Sequence, residues 1–232
     1  MSLYQSKFFF TSKEDGNLAF HVGDDELKVI NNHQILSLKH SYDLEKLVHM
    51  KQIHSDIVHI IDEKDNFENP PTCDALITNK KHTPLMVMVA DCTPVLFFDE
   101  IKGVIAVAHA GRQGAFKNIV KNVLDSFVSD FNSDIKNIKV SIGASICTNC
   151  YEVGDEIDQE AKDLNLSYAI ERIDEKFYLD VNKIILNQLH ECGIKDQNIE
   201  LTKKCSSCDE KEYYSYRREG QTGRFAGVII LN

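Results

Sequence analysis

The sequence predicts an α+β layered sandwich built as one domain over residues 1–232. Three observations predict it. Eight short runs rich in β-branched and aromatic residues recur along the chain, and those in the first half follow one another without a helix between each pair. A purely parallel sheet would need regular strand–helix alternation, so mixed strands are expected. Two later segments carry the three- and four-residue apolar step of an amphipathic helix. Finally, four prolines and eleven glycines are scattered, and only Glu63 to Pro71 reads as a long polar surface loop, so no linker divides the chain.

In chain order, a weakly patterned helix is expected around Tyr42 to Met50, followed by strands at Ile57–Ile61, Ala75–Thr78, Leu85–Ala90, Val95–Phe98 and Gly103–Ala108. Phe116, Ile119, Val120, Val123, Leu124, Phe127 and Val128 then recur on one helical face between Gly114 and Phe131. A strand at Ile138–Ile142 and a second weak helix at Asp155–Asp163 follow. The next helix spans Val181 to Cys192, with Asp180 placed to accept its first free N–H groups and Gly193 able to take the left-handed turn at its end. Strands at Ile199–Thr202 and Gly227–Leu231 complete the set. No fixed-period repeat or low-complexity tract is present.

Composition narrows the function. A 43% hydrophobic fraction supports a real core, and 36 acidic against 26 basic residues give a formal charge of −10, which disfavours binding to a nucleic-acid backbone. The longest apolar run, Leu85 to Ala90, has six residues, whereas a membrane helix needs roughly 18 or more. Between Met1 and Gly16 the triplet Phe8–Phe10 lies between Lys7 and Lys13, far short of a secretory core. Seven cysteines, an odd number, read as thiols or metal ligands in a reducing compartment, and a soluble cytoplasmic protein is expected.

Polar residues at strand ends supply the candidate chemistry. Apolar runs stop abruptly at Asp91-Cys92-Thr93 and at His109-Ala110-Gly111, and an antiparallel hairpin turning near Asp99 to Gly103 would return Cys92 and His109 to one rim. With His54 they form a set of two imidazoles and one thiolate, which suits zinc and leaves one tetrahedral position open, as in catalytic sites. On spacing alone the better-supported reading is a buried Cys92 with merely hydrogen-bonded histidines. Two Cys-x-x-Cys pairs, Cys147/Cys150 and Cys205/Cys208, have 54 residues between them, against about 15 to 20 in compact zinc motifs, so plain thiols are the expectation there. The run Tyr213 to Arg224 sets three arginines among tyrosines and small residues, a pattern that suits phosphate and a planar base or else a solvated basic loop. Gly111-Arg112-Gln113-Gly114 opens the first strong helix, where free N–H groups favour an anion.

These motifs resemble the YfiH/DUF152 family of bacterial proteins, named first as multicopper polyphenol oxidases with a laccase domain and later as purine nucleoside phosphorylases. The resemblance rests on Lys51-Gln52-Ile53-His54, Cys73-Asp74-Ala75-Leu76-Ile77-Thr78, Ala90-Asp91-Cys92-Thr93-Pro94, Ala108-His109-Ala110-Gly111, Cys150-Tyr151-Glu152-Val153-Gly154 and Tyr214-Ser215-Tyr216-Arg217-Arg218 with Thr222-Gly223-Arg224. It implies an αββα-type sandwich with mixed sheets, like that of cysteine hydrolases. It also implies one metal, usually zinc and by substitution copper, on His54, Cys92 and His109. The implied activity is phosphorolysis of adenosine, inosine, guanosine and methylthioadenosine, with adenosine deamination beside it. The family's Ala-His-Ala-Gly-Trp-Arg-Gly reads here Ala-His-Ala-Gly-Arg112-Gln113-Gly114, and the chain has no tryptophan.

Within that frame, Asp91 and then Glu152 are the expected proton carriers. Arg112, Arg218 and Arg224 are the expected phosphate ligands, with Gln52 and Tyr151 as further substrate contacts. Purine nucleosides and phosphate are the expected partners of a monomer or homodimer. The alternative enzyme is a cysteine hydrolase with Cys92 as nucleophile and His109 as base, cutting an amide or ester, including editing of peptidoglycan precursors. A copper-dependent polyphenol oxidase is weaker, because no His-x-His pair is present.

Overall fold

The computed structural model describes residues 4–232; residues 1–3, part of the segment considered above for targeting, lie outside the described residues. Among the described residues, twelve strands and six α-helices run in the order β1 Ser6–Phe10, α1 Glu26–His40, β2 Val58–Ile60, β3 Ala75–Thr78, β4 Leu85–Val89, β5 Thr93–Asp99, β6 Val104–Ala110, α2 Arg112–Phe116, α3 Ile119–Ser129, β7 Ile138–Ile142, β8 Glu152–Val153, α4 Asp155–Asp163, β9 Ile170–Ile173, β10 Lys176–Leu179, α5 Val181–Glu191, β11 Ile199–Leu201, α6 Tyr216–Glu219 and β12 Phe225–Leu231. The central sheet has the order β11-β7-β5-β6-β3-β2, and a second sheet has the order β1-β12-β4. The central sheet is mixed: β11–β7 and β2–β3 are parallel and its other pairs antiparallel. A small sheet, β8-β10-β9, lies beside them.

The pleat sorts each strand between two layers. Val95 and Phe97 of β5, with Ala106 and Ala108 of β6, bury against α3 and α5, which carry Val120, Phe127, Ile184 and Leu189. The alternate residues Leu96, Ile105 and Val107 meet Val87, Val89, Phe225 and Ile229 of the second sheet. The outer face of that sheet, Met86, Met88, Val228 and Ile230, buries against Leu36 of α1 and Leu47. The order helix, sheet, sheet, helices is the αββα arrangement expected. Because both faces are covered, these strands read as unbroken apolar runs rather than alternating ones. Each fully buried Val, Leu, Ile, Phe or Met side chain among them contributes about 1.5–3 kcal/mol.

Three expectations are corrected. The helix expected over Gly114–Phe131 is two helices, because Asn118 takes a left-handed φ of 62° between α2 and α3. The stretch Tyr42 to Met50 holds only a one-turn 3-10 helix, Leu44–Lys46, and Val48 then bridges to Leu85. The longest helix, α1, carries no clear pattern in the sequence. It buries Val29, His33, Leu36 and Ser37 while exposing Leu27 (76%) and Leu38 (80%), so apolar and polar residues lie on both faces. Asp25 starts it by accepting from the Leu27 and Lys28 amides. The two Cys-x-x-Cys pairs are also not separate thiols, since a parallel bridge between Ser145 and Cys205 brings them together. No helix among the described residues is long and apolar enough to cross a membrane.

Candidate active site and metal centre

The hairpin β5–β6 performs the placement inferred from spacing. Thr93 pairs with Ala110 and Pro94 with His109, so Cys92, just before β5, sits at the same rim as His109. Ala75 pairs with Ala108 on the other side of β6, which lays Asp74 alongside His109. The loop ahead of β2 brings in His54. The ligand atoms of His54, Cys92 and His109 all lie within 4.8 Å of one another, and among the described residues no further His, Cys, Asp or Glu joins them. Cys92 Sγ is 3.9 Å from His54 Nε2, and the two imidazole rings meet edge to face at 4.8 Å.

Asp74, fully buried, organises this cluster. Its carboxylate accepts from the amides of Ile53 (3.2 Å), His54 (3.0 Å) and Ser55 (2.7 Å), from Ser55 Oγ (2.7 Å) and from His109 Nδ1 (2.8 Å). A carboxylate only accepts, so Nδ1 carries the proton and Nε2 is left for the cluster. The same amide bonds hold His54 at a left-handed φ of 59°. Asp91 is also left-handed, at 89°, where its carbonyl accepts from Ile146 and its carboxylate from Ser206 Oγ (2.7 Å) and the Arg217 amide (2.6 Å). Strained backbone is thus pinned on two sides of the cluster. Glycine at 111 is a requirement of space: a Cβ there would lie 2.7 Å from Cys92 Sγ and 3.3 Å from His54 Cδ2.

Electrostatics favour a thiolate. Burial pushes the Cys92 thiol up, but the neighbouring His109 and His54 outweigh it and bring it down to about 6. Burial likewise pushes His109 down, and Cys92 and Asp74 raise it to about 9. Burial raises Asp74, and the hydrogen bonds from His109 and Ser55 overcome this to hold it at about 2. Between roughly pH 6 and 9 the metal-free pair is therefore thiolate and imidazolium. In chelator-treated protein, alkylation of Cys92 followed by peptide mass spectrometry is expected to be half-maximal near pH 6 and to slow as the pH falls below it. A midpoint near 9 would show that the imidazoles do not act on the sulfur.

Two nitrogens and one sulfur within a few ångströms, one ring oriented by a carboxylate and a cradle kept open by Gly111, fit a borderline-soft divalent ion. The cluster lies in a cleft of about 610 Å³ whose lining includes Arg112, Arg217, Arg224, Tyr151 and Tyr216. A second cleft of about 660 Å³, beside Tyr4, Phe98 and Lys139, contains neither metal-donor cluster.

The other expected site residues divide. Asp91, Arg112, Tyr151, Arg224 and Gln52 line the cleft. Arg112 opens α2 and reaches Glu160 at 2.6 Å, and the Arg224 guanidinium is fixed by the Thr222 and Gly223 carbonyls. The Gln52 amide group is already paired with the Met88 backbone in both directions. Two residues lie elsewhere. The Glu152 carboxylate turns to Lys176 at 2.9 Å and offers the site only its carbonyl, which accepts from Arg217. The Arg218 guanidinium is bound to the carbonyls of Ser206, Ser207 and Tyr213. Its neighbour Arg217 takes the place in the cleft, over the Tyr151 ring at 5.1 Å. Asp74 lies within the quoted motifs, and nothing in the sequence reading gives it a role. Its signal was an acid directly before the apolar strand Ala75–Thr78.

These features define a mixed α/β protein with a histidine–cysteine cluster in an arginine-edged cleft. The protein belongs to the family described as multi-copper polyphenol oxidoreductase laccase, whose model matches residues 6–232. It is 38% identical over 219 residues to a purine nucleoside phosphorylase of Corynebacterium glutamicum, covering 93% of this chain and 86% of that protein. It is 33% identical over 225 residues to an adenosine deaminase from an unknown prokaryotic organism, covering 91% and 86%. The hypothetical protein YfiH of Bacillus licheniformis superposes with a TM-score of 0.93 at 28% identity, over 98% of this chain and 93% of that one.

Proposed function

We propose that this protein is a zinc-dependent purine nucleoside phosphorylase acting on adenosine, inosine, guanosine and methylthioadenosine, with adenosine deamination as a companion activity. The observation that carries the proposal is the cluster of His54, Cys92 and His109 in a cleft edged by three arginines, in a chain of net charge −10. Relatives named for nucleoside phosphorolysis and adenosine deamination support it.

In phosphorolysis a phosphate oxygen bonds to C1′ as the bond from C1′ to the purine nitrogen breaks, and the departing base takes up a proton. Arg112 and Arg224 would hold the phosphate, Arg224 with its guanidinium already fixed by carbonyls and so little entropy to lose. Tyr216, 62% exposed at the rim, offers a face for the purine. Burial, with Cys92 nearby, raises the Tyr151 hydroxyl above its ordinary pKa, so it stays a proton donor at neutral pH. Asp91 would carry the proton in deamination, its carboxylate held in place by Ser206 and Arg217. A zinc ion on His54, Cys92 and His109 would supply Lewis-acid polarisation at the coordination position left free by three protein donors, and copper would also suit this set.

The test is incubation of metal-analysed protein with adenosine and inosine, with and without phosphate. Free base and ribose 1-phosphate are expected only with phosphate, and inosine from adenosine without it. No turnover of either nucleoside by zinc-loaded protein would overturn the proposal. A second reading is favoured by the thiolate–imidazolium pair: a cysteine hydrolase acting on an amide or ester, peptidoglycan precursors included. It requires metal-free protein to be the active form. We place the protein in the cytoplasm as a monomer or homodimer with no nucleic-acid or membrane partner, in keeping with its charge and helices.

A further inference from the structure

We propose that Cys147, Cys150, Cys205 and Cys208 hold a second zinc ion in a closed four-thiolate site that pins one wall of the cleft. The four sulfurs lie within 4.8 Å of one another, and Cys150 Sγ and Cys208 Sγ are 3.3 Å apart. Tetrahedral zinc with bonds of about 2.3 Å places its sulfurs about 3.8 Å apart, within this spread. Each pair is a Cys-x-x-Cys turn, and the Ser145–Cys205 bridge sets one turn against the other. The turns also stabilise anionic sulfur: the amides of Cys147 (3.2 Å) and Cys208 (3.4 Å) both point at Cys205 Sγ.

The second turn is also fastened by Arg218, whose charge is paired with Glu219 at 2.5 Å. The Arg218 guanidinium lies on the carbonyls of Ser206 (2.9 Å) and Ser207 (2.7 Å), between the two cysteines of the second turn. This accounts for an arginine that the cleft does not use. Four protein donors leave no open position, so the role is structural. The turns carry cleft residues at their ends: Tyr151 follows Cys150, and Ser206, next to Cys205, donates to Asp91 at 2.7 Å. Tying 147–150 to 205–208 therefore fixes Asp91 and Tyr151 relative to each other across a wide gap in sequence.

The test counts metal in full-length protein purified without chelator, and its readout does not depend on any enzymatic activity. Two zinc equivalents are expected in the unmodified protein, one in Cys205→Ser and one in His109→Ala. Cobalt-loaded His109→Ala should show intense sulfur-to-cobalt charge transfer, which adding Cys205→Ser to that same variant should abolish. Should Cys205→Ser fail to fold, Cys208→Ser at an exposed position serves in its place, and Cys208→His should restore the second equivalent because imidazole can replace one thiolate. A single equivalent unaffected by Cys205→Ser, a bound iron chromophore, or two disulfides among these four cysteines would each overturn the proposal.

Discussion

His109→Ala is expected to lower kcat/KM for adenosine phosphorolysis by about three orders of magnitude, roughly 4 kcal/mol of barrier. The ring is the meeting point of three constraints. Its Nδ1 is bound to buried Asp74 at 2.8 Å, its backbone amide donates to the Asp74 carbonyl, also at 2.8 Å, and its remaining nitrogen faces Cys92 and His54. Alanine removes one of the three proposed metal donors and the cation that holds the Cys92 thiol at about 6. The apolar strand beneath is untouched, so the variant should keep its fold, as read by an unchanged circular dichroism spectrum. Steady-state kinetics with parallel metal analysis decide the matter: a variant that loses its metal from this site yet turns over nucleoside at the original rate would refute a role for the ion.

Asp74→Ala is expected to be the most destabilising single change near the site, by about 3–5 kcal/mol. Five hydrogen bonds converge on this carboxylate. Deleting it leaves buried donors on Ser55 and His109 without partners, and it releases the bonds that hold His54 left-handed. Denaturant unfolding of the metal-free protein measures the loss. Asp74→Asn keeps the shape but places an NH₂ group among donors. It should fold while binding metal about 10 to 100 times more weakly, read by competition with a chromophoric chelator. An Asn variant with full metal affinity would show that Asp74 serves the fold alone.

How far these features could be read in the residues depended on the range of the interaction that creates them. The β5–β6 hairpin was legible because Cys92 and His109 flank two apolar runs with room between them for a turn, and the strand register confirms their shared rim. α5 was legible through Asp180 and Gly193, which act within a turn of the helix; Asp180 does accept from the Lys183 amide. α1 was not, because its apolar residues are split between Leu36 in the core and Leu27 and Leu38 in solvent. The four-cysteine cluster was only weakly signalled by its two Cys-x-x-Cys pairs, for a different reason. Its two halves meet through one bridge between Ser145 and Cys205, and nothing local to either turn reports the other. Arg217 and Arg218 differ by one position, and only the turn into α6 decides which of them enters the cleft. Asp74 could have been inferred from a rule of burial: a charge at the start of a strand that reads as wholly internal needs partners, and nearby histidines are natural ones.

His54 and Asp91, the two non-glycine residues bent left-handed beside the cluster, have a consequence for how this protein can change. Glycine would be the more comfortable occupant of either position by about 1–2 kcal/mol, yet neither imidazole nor carboxylate could then be presented. The chain forgoes that relief, so its reactive rim resembles a drawn bow held by Asp74 on one side and Ser206 on the other. Selection for heat resistance alone would slacken it, and the chemistry would be lost before the architecture.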